Sequence, residues 1–219
     1  MNMMRDYRAI TNSQYRLVCN FAIPVGIAAV SILLAAVIEG RLGVVTAFCV
    51  GTVFLAALEV FGDYFGFGSI CAKGCLGMDY LKTSPRGKQM LCHALLADIL
   101  VRPVRIAGSL LLIGIAYEIM SGNPVRPVLI AMLLVADISV WCLNITRYMQ
   151  NVQGVSFVSM LASAATGAGT VCFGYAQEVE RFVWLIVAGL VMLLVLGVSV
   201  TYKHLCRKVE QSYIDGLEG

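Results

Sequence analysis

Residues 78–96 read MDYLKTSPRGKQMLCHALL, a short basic stretch between two long apolar runs. Three cations, a proline and a glycine lie at its centre: Lys82, Pro85, Arg86, Gly87 and Lys88. In the whole chain of 219 residues, 59% are hydrophobic and only 13% are charged, whereas soluble domains have about 25% charged residues. The composition therefore predicts an all-α integral membrane protein, in which this stretch connects two membrane-spanning helices.

Six segments have the roughly 20 mostly apolar residues that a membrane-spanning helix needs. They are residues 17–38, 43–67, 99–120, 127–146, 155–176 and 182–202. We expect them to form a single transmembrane domain that occupies residues 1–219. The basic stretch then belongs to the longest connection, residues 69–96, which is the largest segment expected to face water.

The opening residues 1–16 are too polar to span a membrane, yet their pattern is typical of a helix. One face of this helix holds Met3, Met4, Tyr7, Ile10 and Gln14, and the other holds Arg5, Asp6, Arg8 and Asn12. We therefore expect an amphipathic helix that lies along the cytoplasmic membrane surface. A frayed polar tail is the alternative.

Lysines and arginines are unevenly divided between the two sides of the membrane, and cytoplasmic connections carry most of such residues. One side holds Arg5, Arg8, Arg16, Lys73, Lys82, Arg86, Lys88, Arg147, Lys203, Arg207 and Lys208. The other side holds only Arg41, Arg126 and Arg181. Both termini are therefore expected in the cytoplasm, which agrees with an even number of spans in a multi-pass protein of the cell membrane.

The basic stretch also resembles a known motif. Residues 81–90, LKTSPRGKQM, follow the second span and resemble the LPxSRxxI-type segment of ABC-2 type transporter permeases. In that family the segment lies in the first cytoplasmic loop, near the coupling helix that docks on the nucleotide-binding subunit. The six-span layout and the amphipathic N-terminal helix are similar to that family as well. Ser84 stands where the family usually has a leucine before the proline, and Gly87 stands where another side chain is usual.

The resemblance implies a permease subunit that forms a homodimer and pairs with two cytoplasmic ATPase subunits to export a substrate. ATP and Mg²⁺ would bind to the partner ATPase, and this chain would bind no cofactor. The residues implied to dock on the ATPase are Leu81, Lys82, Ser84, Pro85, Arg86 and Lys88. The small size and short outer loops are similar to those of bacterial exporters of amphipathic peptides or bacteriocins, with drugs or lipids as alternative substrates.

The residues themselves favour a docking helix at this position. Pro85 suits the first turn of a helix, and Ser84 can cap its unpaired amides. A phosphate-binding loop is excluded because the position five residues before Gly87 is Lys82 rather than glycine. A motor that drives this chain would therefore be a separate polypeptide. The alternative interpretation is that the cations are only topology signals at a membrane end.

Charged residues inside the predicted spans are costly enough to need a reason. Glu59 and Asp63 lie four residues apart on one face of the second span. Arg102 and Arg105 lie at the start of the third span, with Asp98 one turn nearer the connection. We interpret these five residues as an intramembrane charge cluster that ties the second and third spans to the connection between them. Simple fastening, or snorkelling to the headgroups, is the alternative.

Asp137 lies near the middle of the fourth span, with Asn144 seven residues farther along the same face. A carboxylate at this depth lines a cavity, hydrogen-bonds to a neighbouring span or titrates, so both residues are candidates for a translocation path. A proton-coupled secondary transporter is therefore the main alternative function. A membrane scaffold or immunity protein that transports nothing is a further alternative.

Catalysis, metal binding and nucleic-acid binding find little support in the sequence. His93 and His204 lie in different segments near membrane ends, and no HExxH or GxSxG motif occurs. We expect His93 to face water or the amphipathic side of its helix. Cys71 and Cys75 are a close pair without the further ligands that a zinc site requires. The basic residues are scattered around membrane ends instead of forming one continuous surface, which argues against nucleic acid as a partner.

Overall fold

The structure is a computed structural model that describes residues 3–38, 50–55, 84–121, 126–146 and 182–214, together with residues 43, 46, 47, 57, 58 and 81. Throughout these residues the regular elements are helices, and no strand occurs among them. The predicted all-helical class is thereby confirmed for this part of the chain. Glu59, Asp63, Lys82 and the whole predicted span 155–176 lie outside the described residues.

The helices follow the predicted order along the chain. Their bounds are Met3–Ile10 (α1), Ser13–Leu17 (α2), Val18–Ala22 (a π-helical turn), Ile23–Val37 (α3), Gly87–Ser121 (α4), Arg126–Thr146 (α5) and Val183–Ile214 (α6). Within the described residues three segments are long and apolar enough to cross a membrane, namely Ser13–Val37, Gly87–Ala116 and Val183–Glu210. Three such helices indicate a helical membrane protein, whereas the six-span layout and the side on which the termini lie stay predictions.

The central helix α4 joins two elements that the sequence analysis treated separately. It starts at Gly87, close to the docking helix expected to begin at Pro85, and continues through the third span expected from residue 99. A tight turn precedes it, in which the Ser84 amide donates to the Leu81 carbonyl at 3.2 Å and the Gly87 amide donates to the Ser84 carbonyl at 3.0 Å. The last part of the predicted coupling segment and the third span are therefore one continuous helix.

At the other end of the described chain, α2 continues into α3 through the π-helical turn. Pro24 gives the physical reason, because it has no N–H for the carbonyl four residues earlier and its ring would crowd that carbonyl in an α-helix. In the wider turn, the Ile23 amide reaches back five residues to the carbonyl of Val18. The chain thus passes Pro24 without ending the helix.

Polar side chains hold the link between α1 and α2. The Asn12 carboxamide oxygen accepts a hydrogen bond from the Gln14 amide at 3.1 Å and so caps the start of α2. The Arg16 guanidinium donates to the carbonyl of Arg8 at 2.8 Å and also to the carbonyl of Thr11. These bonds satisfy carbonyl groups that the end of α1 leaves unpaired, and they fasten α1 to the start of the first apolar helix.

Helix α4 is at the centre of the bundle, because α1, α3, α5 and α6 all pack against it. In the apolar part of α4, 44% of the residues are buried, against 17% for the span Ser13–Val37 and 11% for the span Val183–Glu210. The end where α4 begins and α6 finishes is here called the basic end, since Arg86, Lys203 and Arg207 are exposed there. The apolar cluster of the basic end consists, among the described residues, of the buried side chains of Tyr7, Leu81, Leu91, Ala94, Leu95, Ala97, Ile99, Val140, Leu205 and Val209. A second buried apolar cluster, nearer the opposite end, joins Ala28, Leu55, Ile106, Leu110, Ile113 and Val135.

Helices α3 and α6 expose large apolar side chains along their outer faces. Leu33 is 64% exposed, and Trp184 and Met192 are 69% and 74% exposed. A continuous apolar surface of this kind is stable against lipid tails and costly in water. The outer helices therefore fit a bilayer environment, while α4 is shielded from it.

A close helix contact that depends on a glycine joins α5 and α6. A Cβ atom added at Gly197 would lie 2.9 Å from Nε1 of Trp141. Gly189, two turns earlier in α6, has no neighbour within 4 Å of the same added atom. The indole ring can pack against α6 because position 197 has no side chain.

We predict that Gly197→Ala destabilises the protein and that Gly189→Ala does not. Both changes add one methyl group and raise the helix propensity by the same amount. The two variants therefore differ in the steric clash between the added methyl group and Trp141. Overpacking of this kind costs about 1–3 kcal/mol. Equilibrium unfolding in mixed detergent micelles measures the difference, and equal stability of the two variants would show that the ring moves aside without cost.

Candidate functional site

Two opposite charges are buried in the middle of α4. The Nε atom of Arg102 lies 3.0 Å from Oδ2 of Asp98, and both side chains are 1% exposed. An isolated charge at this position would cost several kcal/mol, but the i, i+4 spacing on a helix places each charge beside its partner. The helical spacing within α4 is therefore sufficient to place the two charges side by side.

Arg105, one turn farther along α4, connects this pair to the N-terminal elements. Its guanidinium donates to Oδ1 of Asn20 at 2.6 Å. The Asn20 side-chain amide donates in turn to the Tyr7 hydroxyl at 3.3 Å. Polar contacts thus run from α4 through the π-helical turn to α1, in a region where Tyr7 and Arg105 are both buried.

The Tyr7 phenol lies close to the charges of α4. Burial, and after it the negative charge of Asp98, raise the pKa of Tyr7 above its ordinary value. The hydroxyl therefore stays neutral at physiological pH and keeps its capacity to accept from Asn20. A neutral hydroxyl can share this space with Asp98, whereas a phenolate would repel it.

Helix α1 does not present its charged residues uniformly to water. Asp6 is 6% exposed, and its Oδ2 atom lies 2.8 Å from Nδ1 of His93 on α4. Asp6 was expected on the polar face of a helix lying along the membrane surface, and His93 was expected to face water or the amphipathic side of its own helix. Instead α1 packs on α4, because His93 offers the buried carboxylate a partner and Tyr7 enters the apolar cluster of the basic end.

The sequence identified part of this network. Arg102, Arg105 and Asp98 were expected in one charge cluster, and the structure places them on consecutive turns of α4. Their expected partners Glu59 and Asp63 lie outside the described residues. A partner from outside α4 that the structure shows is Asn20, which accepts from Arg105 and donates to Tyr7, and the sequence signal for it was weak. The Asp6 to His93 pair is a separate contact between α1 and α4. Asn20, a polar residue inside an apolar run, could have been noted.

The predicted docking residues have different surroundings. Pro85 and Arg86 are exposed in the turn before α4. Lys88 forms an ion pair with Glu210 of α6, with 2.8 Å between Nζ and Oε1. Leu81 is only 8% exposed and belongs to the apolar cluster of the basic end, so its role is in packing rather than in contact with a partner. Ser84 is half-buried, and it accepts the Gly87 amide through its backbone carbonyl.

Asp137 of α5 differs from the other buried charges. It is 3% exposed, and neither carboxylate oxygen has a hydrogen-bond partner among the described residues. The hydroxyl of Ser139, two residues farther along, is buried and equally without a partner there. The side chain of Asn144 lies outside the described part of the structure. A buried carboxylate in this condition is able to hold a proton or attract a cation.

We predict that Arg102→Leu destabilises the protein by roughly 3–5 kcal/mol, because Asp98 then keeps a buried charge without its guanidinium partner. The double variant Asp98→Leu/Arg102→Leu should recover most of this loss, since it removes both charges. Arg5→Leu, at an exposed arginine of α1, is the matched control and should change stability little. Equilibrium unfolding in detergent micelles distinguishes these cases, and a double variant less stable than the single one would contradict the pairing.

The comparisons with known proteins add no identification. No family model, no curated protein and no solved structure matches this chain. In the described residues no group of three or more His, Cys, Asp or Glu side chains is arranged to hold a metal ion. The resemblance of residues 81–90 to ABC-2 type permeases therefore stays a prediction from the sequence, and function has to be argued from the geometry.

Proposed function

We propose that the chain is the transmembrane permease subunit of an ATP-driven exporter of the ABC-2 type. The observation that carries this proposal is the continuity of α4. The exposed turn with Pro85 and Arg86 leads without a break into the helix that contacts α1, α3, α5 and α6. A partner that binds this turn therefore holds the end of the central helix of the bundle.

A continuous helix transmits displacement well. It is rigid along its axis because each turn is hydrogen-bonded to the next, so movement of the exposed turn becomes movement of the whole of α4. The Arg105 to Asn20 contact and the Asp6 to His93 pair pass that movement to α1 and to the start of α3. The Lys88 to Glu210 pair passes it to the end of α6.

In the proposed cycle, ATP and Mg²⁺ bind to a separate cytoplasmic ATPase, and this chain binds neither. Closure of the ATPase pair displaces the docking turn, and the spans of a homodimer change between inward-open and outward-open states. The substrate we propose is an amphipathic peptide or another hydrophobic molecule, on the resemblance of the chain to compact bacterial exporters. The site of action is the cell membrane, with the basic end in the cytoplasm.

We predict that Arg86→Glu reduces binding of the ATPase by at least about tenfold, a loss expected when a charge contact becomes a repulsion. Lys203→Glu is the matched control, because Lys203 is an equally exposed cation of the basic end that lies on α6 and away from the turn. The measurement is the amount of ATPase that co-purifies from the native host in mild detergent, with identification by mass spectrometry. We do not vary Lys88 here, since its loss would also release Glu210.

Three results of that purification are informative. An ATPase that is retained by wild type and Lys203→Glu and lost by Arg86→Glu supports the proposal and locates the dock. Equal loss in both variants would mean that the basic end binds through its net charge. The absence of any ATPase from the wild-type preparation would contradict the proposal and leave a transporter or scaffold that works alone.

Asp137 supports a second candidate, a proton-coupled secondary transporter. Such a protein needs a carboxylate that is shielded from water and able to change its protonation state. Asp137 fits this requirement, because it is buried and neither of its oxygens has a hydrogen-bond partner in the part of the chain that the structure describes. A proton-coupled transporter needs no ATPase. The two proposals therefore differ in whether transport requires a partner ATPase.

We predict for this second candidate that Asp137→Asn abolishes proton-driven transport in proteoliposomes that contain this chain alone. Ser139→Ala, the neighbouring buried polar residue without a partner in the described structure, is the matched control and should retain transport. Acidification of the vesicle interior under an imposed pH gradient is the readout. Equal rates for wild type and Asp137→Asn would contradict proton coupling at this residue.

A further inference from the structure

Two thiols lie next to each other at the basic end of the bundle. Helices α4 and α6 run in opposite directions there, and Lys88 of α4 pairs with Glu210 of α6. One turn deeper on each helix stand Cys92 and Cys206, since each is four residues from its partner in that ion pair. Because the two helices are in contact, the register set by this ion pair places the two thiols at the same level of the interface.

The surroundings leave both thiols accessible to small reagents. Cys92 and Cys206 carry free thiols and are partly exposed rather than buried. Tyr202 stands one turn before Cys206 on α6. Cys92 packs at the margin of the apolar cluster that contains Leu205 and Val209, so the two helices are in apolar contact beside the thiols.

We propose that Cys92 and Cys206 form a site of reversible oxidation, in which a hydroperoxide converts the two thiols into an intramolecular disulfide between α4 and α6. One thiolate attacks the peroxide, breaks its O–O bond and becomes a sulfenic acid, while the peroxide leaves as an alcohol or as water. The second thiol attacks the sulfenic sulfur, forms the S–S bond and releases water. Two electrons pass from the thiols to the peroxide. A low-molecular-weight dithiol afterwards reduces the disulfide to two thiols again.

The pairing across two helices distinguishes these residues from an ordinary cysteine in an apolar run. A disulfide requires the two Cβ atoms to be about 3.5–4.5 Å apart, and two cysteines at the same level of two packed helices can reach this separation through a small adjustment of the helices. In a reducing cytoplasm such a bond would be transient and responsive to oxidant. The disulfide would join the start of α4 covalently to the end of α6, one turn from the solvent-exposed ion pair of Lys88 and Glu210.

The experiment uses the full-length protein in lipid nanodiscs. It is treated with hydrogen peroxide until an added free-cysteine peptide is fully oxidised, remaining thiols are alkylated, and trypsin digestion is followed by mass spectrometry without reduction. Trypsin places Cys92 in the peptide 89–105 and Cys206 in the peptide 204–207, and each of these contains a single cysteine. We expect the two peptides to be joined, within a monomer, and to separate after dithiothreitol.

Variants test the pairing independently. Cys92→Ser or Cys206→Ser should remove the joined peptide, and the remaining cysteine should then oxidise as slowly as Cys19. Cys19→Ser, the control in the π-helical turn, should leave the joined peptide unchanged. Recovery of both peptides alkylated and separate, or joined only between two chains, would overturn the proposal. Because the peptide mapping is carried out on the wild-type protein, this outcome can be read even if a variant fails to fold. The proposal does not depend on the exporter function.

Discussion

The ion pair of Arg102 and Asp98 is the interaction on which the rest of the fold depends. Two full charges lie where the helix is surrounded by apolar residues, and each is tolerable only because the other is one turn away. Once α4 carries this pair, the neighbouring elements have to complete the polar surroundings. Asn20 accepts from Arg105 and donates to Tyr7 of α1, and Asp6 of α1 pairs with His93 of α4. The polar side chains of α4 thus determine where the N-terminal elements pack.

Sequence patterns predicted the helical class and the presence of long apolar helices, since both follow from composition and from local periodicity. They predicted a docking helix that starts near Pro85 and a third span that starts at residue 99, but not that the two form one continuous helix. The residues between 87 and 98 include Lys88, His93 and Asp98, which lower the local hydropathy, so a hydropathy pattern divides the helix there. Backbone hydrogen bonding does not depend on hydropathy, and α4 therefore begins after the turn at Pro85 and continues past residue 99.

The candidate site was predictable only in the part that lies on one helix. Arg102, Arg105 and Asp98 are neighbours by helical spacing, which can be read from the sequence. Asp6 and His93 are 87 positions apart and meet only because α1 folds back on α4. A helical wheel placed Asp6 on the polar face, since such a diagram cannot include a partner from a distant segment. Tertiary pairing of two ionisable groups is thus the information that local periodicity lacks.

The π-helical turn makes the N-terminal region sensitive to the number of its residues. An α-helix turns by about 100° per residue, and a π-turn holds one residue more than an α-turn. Loss of one residue from Val18–Ala22 would let the turn close as an α-turn, so the residues before it would keep nearly the same rotational position and α1 would still face α4. A further residue, in contrast, would rotate everything before the turn by about 100° around the axis of α3, and the side of α1 that now meets His93 would face away from α4. Helix α1 is therefore kept in place because the turn already holds the one extra residue that it can absorb.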